Sequence, residues 1–282
     1  MKILITTDWY EPVINGVVTS VVNLSNELKK RGHEVKILTL SRNHHTYTDG
    51  DVRYAASIGA GKIYPEVRLK MPVIKAVIDK IIEWKPDVIH SQCEFSTFFM
   101  AKKIADETNA PIVHTYHTVY EDYTHYFSPN AAWGRKVVQK LTRMLSSRVE
   151  AMIAPSRKIE DVLEKYNVLC PVEVIPSGID TDKFGKYIGT DSRHRIRQQY
   201  GLSDDQIVLL YVGRLAKEKN ILEILRCQKR VSRYGTTLMI VGDGPYRAEI
   251  EEQVRELGIS ESVIFTGKIG PDKVAEYYQA GD

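Results

Sequence analysis

Ile207-Val208-Leu209-Leu210-Tyr211-Val212 is an unbroken apolar run, followed by the helical pattern Ile221–Arg233 and a second short run at Thr236–Val241. A strand without polar alternation is buried on both faces, as in a parallel sheet covered by helices. The same rhythm continues outward through Tyr246–Leu257, Ser262–Thr266 and Pro271–Tyr278. Upstream, Lys2–Thr7 (KILITT) predicts a strand, and Val17–Arg31 a helix with Val18, Val21, Val22 and Leu28 on one face. Gly32 then marks the helix end. Further strands are predicted at Glu34–Leu40, Asp87–His90, Pro111–Tyr116, Ala151–Ala154 and Val172–Ile175. Helices are predicted at Val73–Trp84, Ser96–Thr108, Ala132–Ser147 and Ser156–Tyr166.

Strand and helix in alternation predict a doubly wound α/β fold. The alternation breaks at Ile175-Pro176-Ser177-Gly178-Ile179-Asp180 and resumes only after polar sequence ending near residue 205. Two Rossmann-like units are therefore expected: residues 1–180, a linker at 181–200, and residues 201–282. The second unit offers three strands where such a domain usually has five or six, so it is expected to be truncated.

Composition narrows the class. Of 282 residues, 43 % are hydrophobic and 27 % charged, which fits a globular protein and excludes disorder, collagen and coiled coil. A net charge of +3 is too small for a bulk nucleic-acid binder. No apolar run reaches the roughly 18 residues of a membrane span, and the N-terminus turns polar too early for a signal peptide. Cys93, Cys170 and Cys227 are odd in number, far apart and not in metal-ligand spacing. These features predict a cytoplasmic protein with no metal site.

In a doubly wound fold, ligands gather at the carboxyl ends of the strands. Three such places carry suggestive residues. Asn15-Gly16 precedes the first helix, and is either a tight turn or a place where backbone N–H groups approach a phosphate. His117 follows the strand ending at Tyr116, where a neutral imidazole could bind a substrate hydroxyl. His114 lies inside that strand and reads as a core histidine, while Glu121-Asp122 read as a solvated pair. Gly213-Arg214 through Lys219 follows the Ile207–Val212 strand. Two cations there, beside a helix N-terminus, suit a nucleoside diphosphate better than a plain surface cluster. Gly242-Asp243-Gly244-Pro245 is the next strand-end turn, with nothing beyond turn chemistry to read from it.

Asn15-Gly16-Val17, Tyr116-His117-Thr118, Ile175–Asp180, Gly213-Arg214-Leu215 with Glu218-Lys219-Asn220, and Val241–Pro245 together resemble glycosyltransferase family 4. Each motif is weak alone, but the five in order span essentially the whole chain. His90–Ser96 with Tyr116–Tyr123 is similar to the bacterial diacylglycerol glucosyltransferases. The resemblance implies a GT-B fold, in which two Rossmann-like domains face a cleft. It implies retaining transfer from a nucleotide sugar without a metal or other cofactor, here glucose from UDP-glucose to a lipid acceptor. It further implies that Gly16, Arg214 and Lys219 meet the donor diphosphate, His117 the sugar, and the backbone at Lys268-Ile269 the nucleobase. The family's paired glutamates, eight positions apart, have no counterpart here and are expected just beyond Asp282.

Between Tyr123 and Val149 there is no acidic residue, while Arg135, Lys136, Lys140, Arg143 and Arg148 recur. Val137, Val138, Leu141, Met144 and Leu145 stand at helical spacing. Such a helix can lie on an anionic bilayer, or be an ordinary domain helix with a core stripe. With a lipid acceptor implied, the sequence reads as a protein peripheral on the inner face of the cell membrane. A soluble or polysaccharide acceptor, or a non-catalytic lipid- or nucleotide-binding module, are the alternatives.

Overall fold

The computed structural model describes residues 1–60, 68–120, 130–185 and 190–282. The chain divides into two compact units, Met1–Ile179 and Asp180–Asp282.

Unit 1 runs β1 (Lys2–Thr6), α1 (Gly16–Lys30), β2 (Glu34–Leu40), β3 (Tyr47–Asp49), β4 (Val52–Ala55), β5 (Ser57–Gly59) and β6 (Arg68–Lys70). It continues with α2 (Lys75–Trp84), β7 (Val88–Ser91), α3 (Ser96–Thr108), β8 (Ile112–Thr115), α4 (Ala131–Ser146), β9 (Ala151–Ala154), α5 (Arg157–Lys165) and β10 (Val172–Val174). Eight strands form one sheet in the order β10-β9-β8-β7-β1-β2-β4-β3, parallel except for the last pair. β1 is central because both its faces are apolar. Ile3 and Ile5 pack with Val21 of α1, whereas Leu4 joins the larger core with Ile78, Phe98 and Ile104 of α2 and α3. Sequence order runs from β1 toward β2 on one side and from β7 toward β10 on the other. The order therefore reverses between β1 and β7, the place where doubly wound sheets open a crevice.

The short strands β3 to β6 escape the pattern reading. β3 is wholly exposed and held to β4 by pairing and by the stacked rings of Tyr47 and Tyr54, 4.4 Å apart. Three polar residues carry no alternation to detect.

Unit 2 comprises α6 (Thr181–Phe184), α7 (Thr190–Gln199), β11 (Val208–Val212), α8 (Ile221–Val231), β12 (Thr237–Val241), α9 (Arg247–Leu257), β13 (Val263–Gly267) and α10 (Val274–Ala280). β11-β12-β13 form a parallel sheet. Along β12, Leu238 and Ile240 face the core under α8 and α9, while Met239 and Val241 face Ile196 of α7 and Tyr277 of α10. The stretch read as a linker is thus partly helical and contributes to this unit's core. Arg197 explains why its polarity misleads. The guanidinium is fully buried and donates to the carbonyls of Ser203, Asp204, Gln206 and Ala280 (2.8–3.1 Å) and to Asp282 Oδ2 (2.6 Å). Desolvation pushes the Asp282 carboxyl up, but hydrogen bonds from Val208 N–H, Arg193 and Arg197 outweigh it and hold it below the usual range.

Of the cysteines, Cys93 is buried, Cys170 half-buried and Cys227, on α8, exposed. The three tryptophans, Trp9, Trp84 and Trp133, all lie in unit 1.

Candidate functional site

In unit 1 a polar cluster fills the carboxyl ends of β1, β7 and β8. Backbone pairing sets the loops: Gln92 N–H donates to Thr6 O (2.8 Å) and Tyr116 N–H to Ile153 O (3.0 Å). Beyond β1, Asp8 Oδ1 accepts from the N–H and hydroxyl of Thr97 at 2.8 and 2.6 Å. Desolvation outweighs those bonds and raises the Asp8 carboxyl to about 6. Beyond β7, Glu94 is buried and accepts from the Tyr120 hydroxyl, while its other oxygen lies 3.3 Å from His114 Nε2.

His114 is buried, with Nδ1 on the Ser91 hydroxyl (3.1 Å) and its ring edge-on to Phe98, as expected of a core histidine. His117 is half-buried, and its Nε2 lies 2.7 Å from Gln92 Oε1. Burial, opposed by Glu94 and assisted by His114, lowers the His117 imidazole to about 4, so the ring is neutral at pH 7. His90, bonded to the Thr115 hydroxyl at 2.8 Å, is lowered further, to about 3, by burial and by His114 and His117. Gln92 and Glu94 fall within the His90–Ser96 stretch but receive no role from it, and Asp8 carries no motif; their position just past a strand end is the signal that could have found them. Glu121 and Asp122 lie outside the described residues.

Gly16 is the first residue of α1, whose N-cap Asn15 accepts from Val18 N–H at 2.8 Å. A Cβ built on Gly16 meets nothing within 4 Å, so the backbone there faces open space. That openness suits close approach of a ligand to the helix N-terminus.

Unit 2 gathers the second group of expected residues along one edge of its sheet. Val212 pairs with Val241 and Val241 with Gly267, so the loops starting at Gly213, Gly242 and Lys268 leave the strands side by side. Backbone bonds tie them: Gly213 N to Val241 O (2.9 Å), Leu215 N to Asp243 O (3.1 Å) and Gly242 N to Gly267 O (2.9 Å). A Cβ on Gly242 (φ +140°) would stand 1.9 Å from Gly213 O, and one on Gly244 2.2 Å from Leu215 O. The Gly-Asp-Gly-Pro turn is thus a brace for the Gly213-Arg214 loop. Arg214 and Lys219 are exposed, and their side chains make no ion pair or hydrogen bond among the described residues. Lys219 precedes α8, whose N-cap Asn220 makes no side-chain cap bond. Two unpaired cations beside an uncapped helix N-terminus form a place for an anion. Lys268 is exposed at the same edge, and Ile269 packs against the core of Val241 and Tyr277.

α4 separates what the sequence joined. Val138 and Leu145 are buried and Leu141 packs on them, whereas Val137 and Met144 face outward with Trp133, which is 60 % exposed. On a helix turning about 100° per residue these three share a narrow stripe, with Lys140, Lys136 and Arg143 beside it. Arg135 and Arg148 are also exposed, and Arg143 donates to Asn167 O at 2.7 Å. Thr142 on the inner face meets the Tyr116 hydroxyl at 3.2 Å, which joins α4 to the His117 loop. Among the described residues no three His, Cys, Asp or Glu side chains converge to hold a metal ion, and no helix is long and apolar enough to cross a membrane.

The Glycosyltransferase Family 4 profile matches residues 14–183, and that of Glycosyl transferases group 1 matches residues 192–282. The chain belongs to glycosyltransferase family 4. It is 35 % identical, over its whole length, to an alpha-monoglucosyldiacylglycerol synthase of Streptococcus pneumoniae, of which it covers 65 %. A synthase of the same name from Acholeplasma laidlawii is 31 % identical, again over the whole chain and 73 % of that protein. This family-4 chain thus spans about two thirds to three quarters of the length of these curated relatives. In structure it is similar to the sucrose-phosphate synthase of Thermosynechococcus elongatus, with a TM-score of 0.70 at 20 % identity over 99 % of this chain and 73 % of that one. The fold of this family-4 chain is that of the GT-B glycosyltransferases, with Rossmann-like units.

Proposed function

We propose that this protein transfers glucose from UDP-glucose to diacylglycerol, with retention of configuration and without a metal ion. The observation that carries the reading is identity of 35 % and 31 %, over the whole of this chain, to two alpha-monoglucosyldiacylglycerol synthases. The chemistry of the strand-end residues supports it. In unit 2, Arg214 and Lys219 offset the diphosphate charge and stabilise the departing UDP, and the backbone at Lys268-Ile269 meets the base. In unit 1, Gly16 admits the diphosphate to the α1 N-terminus, and neutral His117 accepts a hydrogen bond from the transferred sugar. The acceptor hydroxyl oxygen bonds to the anomeric carbon as the bond to the phosphate oxygen breaks. Its proton passes to the departing phosphate on the same face, so no protein nucleophile is required. The outward stripe of α4, with Arg135, Lys136, Lys140, Arg143 and Arg148, rests on an anionic membrane surface, on the cytoplasmic side.

The test is transfer of labelled glucose from UDP-glucose to diacylglycerol in mixed anionic vesicles. Arg214→Ala and Lys219→Ala are each expected to lower the rate by about 10²-fold. Near-normal turnover in both variants removes the donor assignment, and labelling of a water-soluble acceptor in preference to diacylglycerol removes the lipid one.

A further inference from the structure

We infer that Gln92 is a positioning residue for His117, holding its imidazole as the Nε2–H tautomer and leaving Nδ1 as acceptor for a hydroxyl of the transferred sugar. The sugar contact rests on the transferase reading above; the tautomer rests on geometry alone. Gln92 Oε1 and His117 Nε2 are 2.7 Å apart. A carboxamide oxygen only accepts, so the ring nitrogen facing it carries the hydrogen. In a neutral imidazole the lone pair is then on Nδ1, which has no hydrogen-bond partner among the described residues.

The choice of glutamine is itself informative. A glutamate could accept from Nε2–H equally well, but its charge would draw a second proton onto the ring and cancel the acceptor. A leucine of similar size would leave the ring without an orienting partner. Glutamine supplies an acceptor and no charge. Its drawback is visible: Gln92 is 2 % exposed, and its own Nε2 is buried without a hydrogen-bond partner among the described residues. Leaving a buried donor unmatched is unfavourable, and a position serving only to fill space would lose nothing by becoming apolar. Both residues are placed by neighbouring parallel strands, Gln92 directly after β7 and His117 two residues after β8. The groups around the ring favour neutrality on balance, with burial and His114 opposing the proton and Glu94 alone favouring it.

The experiment uses the full chain labelled with ¹⁵N-histidine, with the His117 signals assigned through a His117→Gln variant. Long-range ¹H–¹⁵N correlations at pH 7 are expected to show Nε2 protonated and Nδ1 bare. Gln92→Leu should give a neutral ring with mixed tautomers. Gln92→Glu keeps an acceptor in place and should raise the His117 titration midpoint from about 4 by roughly one to three pH units. A proton on Nδ1 in the unaltered chain overturns the inference. So does Gln92→Glu still titrating near 4, a result that stands even where the leucine variant fails to fold. Adding UDP-glucose, but not UDP, should then shift the Nδ1 resonance. A bare Nδ1 indifferent to UDP-glucose upholds the role of Gln92 and overturns the sugar contact of His117.

Discussion

Asp8, His90 and His117 belong to one strand-end cluster, yet burial moves their titrations in opposite senses. The Asp8 carboxyl, raised from 3.8 to about 6, contributes stability that is present below pH 4 and lost as pH rises through 6. The histidines, lowered from 6.5 to about 3 and about 4, do the reverse, and stability falls as pH drops below 6.5. Between about pH 4 and 6 the unfolded chain therefore binds a proton at each histidine, and the folded chain binds one at Asp8. The excess of one proton makes stability rise by about 1.4 kcal/mol per pH unit from these groups. Urea unfolding across that window should show the slope roughly doubled in Asp8→Asn and nearly abolished in His117→Gln. Unchanged slopes would mean that these groups are solvated. His117 was legible because it closes a strand-like run. Its partner was not, because Gln92 lies 25 residues away, and the Asp8–Thr97 pair spans 89. Contacts of that range follow from strand order, which local pattern does not carry.

At the scale of elements, the strand-end loops of unit 2 are joined backbone to backbone. Gly242→Ala and Gly244→Ala should each cost about 2–3 kcal/mol, because the added methyl meets a carbonyl oxygen and cannot rotate away. Gly178→Ala, which meets nothing, should stay within about 0.5 kcal/mol of the parent in the same denaturation assay. For α4 the expectation concerns Trp133. Anionic vesicles should shift its emission to the blue, neutral ones should not, and Trp133→Phe should remove the response. Lys136→Glu with Lys140→Glu should weaken attachment most at low salt, since each cation near such a surface contributes about 1 kcal/mol that salt screens. An identical signal with both vesicle types would make α4 an ordinary domain helix. Period and composition revealed this helix but merged two stripes, because Val137 and Val138 are adjacent in sequence and only packing tells their faces apart. The helix α7 was missed for the converse reason: among its described residues the most deeply buried side chain, that of Arg197, is a charged one.

At the scale of the molecule, every buried apolar cluster among the described residues draws on a single unit. The alternation of strands and helices is what points to a division in the sequence, since a doubly wound sheet announces itself each time the rhythm restarts. Arg197→Leu would remove a buried donor from four carbonyls and from the Asp282 carboxylate, and is expected to destabilise unit 2 by about 3 kcal/mol. Tryptophan fluorescence, which reports only unit 1, should keep its midpoint while circular dichroism shows an earlier transition. A common shift of both signals would mean that the units unfold as one. The same distribution of side chains gives the protein an optical axis of its own. Indole light originates wholly in one unit, and the single exposed thiol, Cys227, lies in the other. A thiol-reactive acceptor dye on Cys227 turns the unmutated chain into an energy-transfer ruler, able to follow the distance between the two units as a nucleotide sugar is added.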